Sequence, residues 1–281
     1  MQTIKQISQI LEESDSLKLV AQAYSEIAAV KLQKIRKGIE QNRVFFQEVS
    51  EVFHIVKVAS LRQGIKPAVT RKRGTLSILL TSNYRFYGSL ESELVKFFII
   101  NTSKFRTDRI VIGKTGTEFL HTMDYFHPYQ HIVLEEDLPN DVEIRTLVLS
   151  LIGYQQILVY YSRMQSVLIQ EPFVTDIVQA PPGRIIDPKV RHPGYIFEPE
   201  LDKMLQFFDS QITSLMLEQT FMESELARTA ARLTSMDQAQ MNADDLIKQQ
   251  RKLLAVAKRS SDNLRLLETI ATLRGWKKEE S

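Results

Sequence analysis

The 281-residue chain contains no cysteine. That excludes a disulfide framework, a thiolate metal site and a cysteine nucleophile. No run of about eighteen apolar residues occurs, so no membrane-spanning helix is expected. Residues 1–9 lack a basic segment followed by an apolar core, so a secretory signal is not expected either. Charge of one sign is also missing. Lys and Arg number 36 against 34 Asp and Glu, and the net charge of +2 is too small to argue for nucleic acid. Charged residues at 25% and hydrophobic residues at 43% are ordinary for a soluble protein of one or two domains.

The most informative absence is that of helix breakers. Between Glu200 and Arg274 there is neither glycine nor proline. Apolar residues recur there at steps of three and four, through Leu205, Phe208, Ile212 and Leu215, then Met222, Leu226, Ala230, Leu233 and Met236. This spacing puts one apolar stripe on a single helix, with Pro199 at its start and Gly275 as a C-cap. Such a helix spans on the order of 110 Å at ~1.5 Å per residue, wider than a compact domain. Residues 1–58 also lack proline and hold only Gly38. Ile4, Ile7 and Leu11 share a face there, as do Val20, Ala23 and Ile27, then Ile35 and Ile39. The reading is an antiparallel coiled coil of N- and C-terminal helices, because either stripe alone would face water. Alanines at 28, 29, 227, 230, 231, 239 and 243 allow close approach of the two backbones.

The prolines lie between Pro67 and Pro199, and so does a different pattern. A linker at 59–74 carries Arg62, Lys66, Arg71, Lys72 and Arg73 without interleaved aromatics, which favours a solvated hinge over a nucleic-acid patch. Strands are expected at 76–81, 109–112 and 131–134, with helices at 90–100, 116–125 and 141–154. Alternating strands and helices indicate βαβ units and a mainly parallel sheet. The runs 156–164 and 166–178 are nearly contiguous and predict a hairpin. Residues 179–193, rich in proline and glycine, lead back to the long helix. The fold class is α/β plus long helices: a central Rossmann-like domain at 75–195 between coiled-coil helices at 1–58 and 196–281.

Candidate chemistry is sparse. Gly113-Lys114-Thr115 looks like the end of a P-loop, but Asp108 stands where the first glycine is required. The intervening residues read as strand, which cannot cradle phosphate with successive amides. No G-x-G-x-x-G and no G-x-S-x-G occurs. His121, His127 and His131, with Asp124, Glu135 and Glu136, could suggest a metal site, but Pro128 prevents a helix that aligns the histidines. No catalytic, cofactor-binding or metal residue is expected. The bases of the long helix, Arg228, Arg232, Lys248, Arg251, Lys252, Lys258, Arg259 and Arg265, alternate with acids and read as a solvated or partner-facing surface. The residues alone leave open a coiled-coil adaptor and a small α/β enzyme.

Several blocks in one order resemble the gamma, or central-stalk, subunits of rotary ATP synthases. Val20-Ala21-Gln22-Ala23-Tyr24 with 27–32 resembles that family's I-T-K-A-M and V-A-A-x-K-L. Thr81-Ser82 with Gly88 and Ser92 falls where it has T-S-D-R-G-L-C-G-G-F-N-S. Val111-Ile112-Gly113 with Gly116 and Phe119 is similar to V-I-G-x-x-G-x-x-F, which makes the GKT triplet a structural turn. Tyr195-Ile196-Phe197-Glu198-Pro199 looks like Y-x-F-E-P. Met222-Glu223-Ser224, Ala230-Ala231-Arg232-Leu233, Met236, Ala239, Asn242 and Ala243 resemble L-E-S, A-A-R-M and A-M-x-x-A-x-x-N-A. The departures are Tyr84–Ser89 for the glycine-rich R-G-L-C-G-G, Ala227-Arg228-Thr229 for S-E-H, and 258–263 for R-Q-A-x-I-T.

The resemblance implies a rotor shaft without chemistry or cofactor of its own. It would turn inside a hexamer of alpha and beta subunits, with an epsilon-like subunit and a membrane ring as further partners. It would belong to a peripheral complex on the cytoplasmic face of the inner membrane, coupling proton flow to ATP synthesis or hydrolysis. Lys258, Arg259 and Arg232 are the implied partner contacts, with no nucleic acid and no membrane insertion. A specialised rotary ATPase or a non-rotary adaptor is the alternative.

Overall fold

The structure is a computed structural model that describes residues 3–64, 73–178 and 198–279. Among the described residues two long helices, α1 (Ile4–Arg62) and α5 (Leu201–Glu279), bracket five strands and three shorter helices. The chain divides into two compact units, Ala28–Arg232 and Met1–Ile27 with Leu233–Ser281.

In the 28–232 unit, the strands are β1 (Arg73–Leu80), β2 (Asp108–Ile112), β3 (Gln130–Ile132), β4 (Tyr154–Met164) and β5 (Gln170–Asp176). Their order is β3-β2-β1-β4-β5. The first four run parallel, with Ile78 level with Ile110 and Val159. β5 returns antiparallel to β4, so the expected hairpin is present. Apolar runs in β1 and β4 follow from burial on both faces. On one face Leu76, Ile78, Leu80, Ile157, Val159 and Tyr161 pack on α4 (Asp141–Leu151) and on Leu217 and Phe221 of α5. On the other, Leu79, Val111 and Tyr160 pack on α2 (Leu90–Thr102) and α3 (Lys114–Thr122).

In the same unit α1 pairs antiparallel with α5. Leu32 and Ile35 meet Leu226 and Ala230, Phe46 meets Ile212 and Leu215, and Val56 meets Leu201 and Leu205. Here α5 lies between α1 and the sheet. The eight consecutive residues 224–231 are all buried, which no single-stripe helix would show.

In the unit of 1–27 and 233–281 the helices also pair antiparallel, with polar contacts beside the buried Ile7, Ala21 and Ile247. Lys18 donates to Asp244 at 2.7 Å and Ser25 to Asp237 at 2.7 Å. Along α1 the buried positions Ile7, Ser14, Ala21, Ala28, Ile35 and Asn42 are seven apart, the repeat of a left-handed coiled coil.

Several expected boundaries and faces move. Val20, Ala23 and Ile27, expected to face the partner helix, are exposed, while Ser14, Ala21 and Ser25 line the seam. The linker expected from 59 begins later, since α1 runs to Arg62 and Gly64 has φ +71°. Arg73 opens β1. Lys66, Arg71, Lys72 and the returning segment 179–193 lie outside the described residues. The helix expected at 141–154 stops at Leu151, because Gly153 takes φ +97° and Tyr154 starts β4. Gly275 does not cap α5, which continues to Glu279. One interior glycine costs only about 1 kcal/mol relative to alanine.

Candidate functional site: a buried polar joint

The signals marked in the sequence come apart in space. At Gly113 the amides are spent inside the protein. Gly113 N donates to Ile132 O, Thr115 N to Ser82 O, Lys114 N to Asn83 Oδ1 and Gly116 N to Thr81 Oγ1. The glycines serve close packing, since a Cβ on Gly113 would stand 2.6 Å from Thr81 O and one on Gly116 2.6 Å from Thr81 Oγ1. GKT is therefore a structural turn. His121, His127 and His131 are exposed, and no metal-binding cluster occurs among the described residues.

Polar side chains do converge where α5 passes the carboxyl ends of the strands, the place where open α/β sheets take ligands. Arg228 is 1% exposed. Its Nε and Nη2 donate to Glu225 Oε2 at 3.1 and 2.9 Å, and Nη1 donates to Ser224 Oγ at 2.9 Å. Lys31 of α1 reaches the other oxygen of Glu225 at 2.5 Å. Burial opposes the charge on Arg228, but Glu225, Asp137 and Glu91 around it hold its pKa above the ordinary value. A buried charge persists only with such partners.

From the domain side, the turn after β1 supplies Ser82, which donates to Asp137 Oδ2 at 2.5 Å, and Tyr87, which donates to the same oxygen at 3.1 Å. Arg232 donates to Tyr87 Oη at 2.6 Å and stacks over its ring at 4.6 Å. Glu91, in the first turn of α2, accepts from Ser82 N at 3.0 Å and meets the Thr115 hydroxyl. That hydroxyl also donates to Ser82 O at 2.8 Å. A threonine has a single hydroxyl proton, so a proton on Glu91 would relieve the competition between the two contacts. Burial agrees, pushing Glu91 up to about 7 against the pull of Arg228. On the sheet side Tyr161 of β4 donates to Glu223 Oε2 at 2.7 Å. Burial and then the Glu223 charge hold Tyr161 above its ordinary pKa.

This arrangement clamps a helix to a domain. Ser82 donates to the Asp137 carboxylate and Thr115 to the Ser82 carbonyl, so both hydroxyl protons are used in hydrogen bonds inside the joint. A cavity of about 440 Å³ opens beside it between Tyr84, Phe86, Glu91 and Phe119, bridged at its rim by Arg85 and Glu118 at 2.8 Å.

Of the implied partner contacts, Arg232 is engaged within the chain by Tyr87, whereas Lys258 and Arg259 are exposed on the part of α5 belonging to the other unit. Arg228, expected on a solvated face, is buried. The joint residues Tyr87, Glu91, Asp137 and Glu225 carried no sequence signal, apart from the acid–base spacing of three between Glu225 and Arg228 on one helix.

An α/β domain clamped on a helical hairpin belongs to the class of stalk subunits. The family profile described as ATP synthase matches residues 3–258, and the chain belongs to the ATP synthase gamma-chain family. It is 23% identical over 257 residues to the ATP synthase gamma chain of Pelotomaculum thermopropionicum, covering 88% of this chain and 89% of that one. Its fold matches a chain of the Tetrahymena thermophila mitochondrial ATP synthase central stalk and c-ring structure. The TM-score is 0.59 at 18% identity, over 78% of this chain and 99% of that one. A chain of the Euglena gracilis mitochondrial ATP synthase matches with TM-score 0.57 at 14% identity, over 90% and 97%.

Proposed function

We propose that this chain is the central rotor shaft of a rotary ATP synthase, part of an enzyme complex while performing no chemistry itself. The observation that carries this is the surface of the unit made by 1–27 and 233–281. Its seam is mostly small and polar, with Ile7 and Ile247 buried in it, yet its exterior presents Leu17, Leu19, Val20, Ile27, Leu253, Val256, Leu264, Leu266, Leu267 and Ile270. Apolar side chains in that number on a two-helix unit call for an enclosing partner surface. We infer that this surface is a hexamer of alpha and beta subunits around the helices, a reading that the gamma-chain relationship supports. An epsilon-like subunit and the membrane ring are the partners on the α/β domain's side. An asymmetric shaft turning in the hexamer would drive its catalytic sites through different states by differential contacts, coupling proton flow to ATP synthesis or hydrolysis.

Among the described residues no helix is long and apolar enough to cross a membrane, and the complex would be held peripherally at the cytoplasmic face of the inner membrane. Lys258 and Arg259 are the shaft's charged contacts to the catalytic hexamer. Affinity purification of the native complex with subunit identification tests the reading. Recovery with catalytic alpha and beta subunits is expected, and recovery without any ATP-hydrolysing subunit overturns it. In the assembled complex Lys258→Ala with Arg259→Ala should lower ATP turnover while the isolated chain keeps its thermal midpoint.

A further inference from the structure

If the chain is a rotor, torque must pass between the α/β domain and α5, and this inference rests on that reading for its functional arm. Apolar contacts alone suit the task poorly, because they are non-directional. Leu217 and Phe221 seat α5 on the sheet, but small turns about its axis leave most of their buried area in place.

Two hydrogen bonds prevent this. Glu223 is held by Tyr161 of β4 at 2.7 Å, and Arg232 holds Tyr87 of the turn after β1 at 2.6 Å. Glu223 and Arg232 are nine residues apart, about two and a half turns at 3.6 residues per turn, so they leave α5 on opposite faces. Both anchors are fixed from behind. Tyr87 donates on to Asp137, and Tyr161 stacks edge-on against Phe173 at 5.8 Å. Both hydrogen bonds have a charged partner and are therefore the stronger kind. Both tyrosines are buried, so water does not compete for them. Opposed latches resist rotation in either sense, and one of them left alone still restrains the helix at a single point.

We propose that Tyr161–Glu223 and Tyr87–Arg232 form a torsion lock that fixes α5 against the α/β domain, with Tyr87 and Tyr161 as positioning residues for energy coupling. Buried Arg228, between the latches in sequence, holds the segment's charge in balance.

Tyr87→Phe and Tyr161→Phe remove one hydroxyl each and keep the rings. In inverted membrane vesicles carrying the assembled complex, the double variant should keep ATP hydrolysis but lose the membrane potential that hydrolysis builds. Each single variant should retain most of it. A purely structural role would lower the thermal midpoint without changing charge moved per ATP hydrolysed. Normal coupling in an assembled double variant overturns the lock. A second measurement needs no complex. Because the chain has no cysteine, spin labels at Lys96→Cys on α2 and Gln206→Cys on α5 report only that pair. The distance distribution should be narrow in the parent chain and broad in the double variant at unchanged helix content. An unchanged distribution overturns the lock even if no rotary complex is found. Absence of the chain from any ATP-hydrolysing complex overturns the rotor reading alone.

Discussion

The same two helices form two different pairings. In the 28–232 unit their seam holds Leu32, Ile35, Phe46 and Val56 against Leu226, Ile212, Leu215, Leu201 and Leu205. In the unit of 1–27 and 233–281 the buried seam positions of α1 are Ile7, Ser14, Ala21 and Ser25, with Lys18 bound to Asp244. The large apolar residues there point outward. The first pairing is stabilised by its own core. The second buries Ile7, Ala21 and Ile247 and leaves more of its large apolar side chains outside, the surface that the rotor reading assigns to its partners.

The sharpest way to break this contrast is to truncate one large apolar residue in each unit. Phe221→Ala, in the sheet core, should cost about 4 kcal/mol, read as a shift of the denaturant midpoint of the isolated chain.

The next effect comes from the joint. Glu91 is held at about 7, above the ordinary 4.5, chiefly by burial. Its folded form binds the proton more tightly than its unfolded form. Its contribution is therefore fully present below about pH 4.5 and lost as pH rises to about 7, a change of about 3 kcal/mol at 1.36 kcal/mol per unit. Glu91→Gln, which mimics the protonated acid, should be more stable than the parent at pH 8. Denaturation of both proteins from pH 4.5 to 8 should show a gap that widens with pH. A constant gap would place the charge elsewhere.

A smaller change is expected in the polar seam. Ser25→Ala removes the bond to Asp237 and should cost about 1 kcal/mol, visible as a small shift of thermal midpoint. Smallest of all, Val20→Ala should stay within about 0.5 kcal/mol in the isolated chain, since Val20 is 53% exposed, yet it should weaken recovery of the assembled complex.

The two regions were unequally legible in sequence. The sheet was readable because burial on both faces leaves continuous apolar runs, as at 76–80, and glycines such as Gly113 mark turns. The existence of the long helices followed from missing breakers. Their inward face in the N-terminal part did not. Steps of three and four through Val20, Ala23 and Ile27 describe a stripe without saying what it faces. The seven-residue spacing of Ile7, Ser14, Ala21 and Ala28 held the answer, hidden by small and polar side chains. The joint was illegible for another reason. Glu91, Asp137 and Arg228 are far apart in sequence, and a charged residue in a helix ordinarily reads as solvated until tertiary packing buries it.

The most direct measurement uses the absence of cysteine. A single cysteine at Val20→Cys or Leu267→Cys, both now exposed, is labelled with a maleimide in the free chain and in the purified complex. A shaft enclosed by a catalytic ring predicts rapid labelling of the free chain and strong protection after assembly, while Lys96→Cys on the α/β domain labels the free chain at a comparable rate. Equal labelling of Val20→Cys and Leu267→Cys in both states, with the chain verified in the complex, would contradict it.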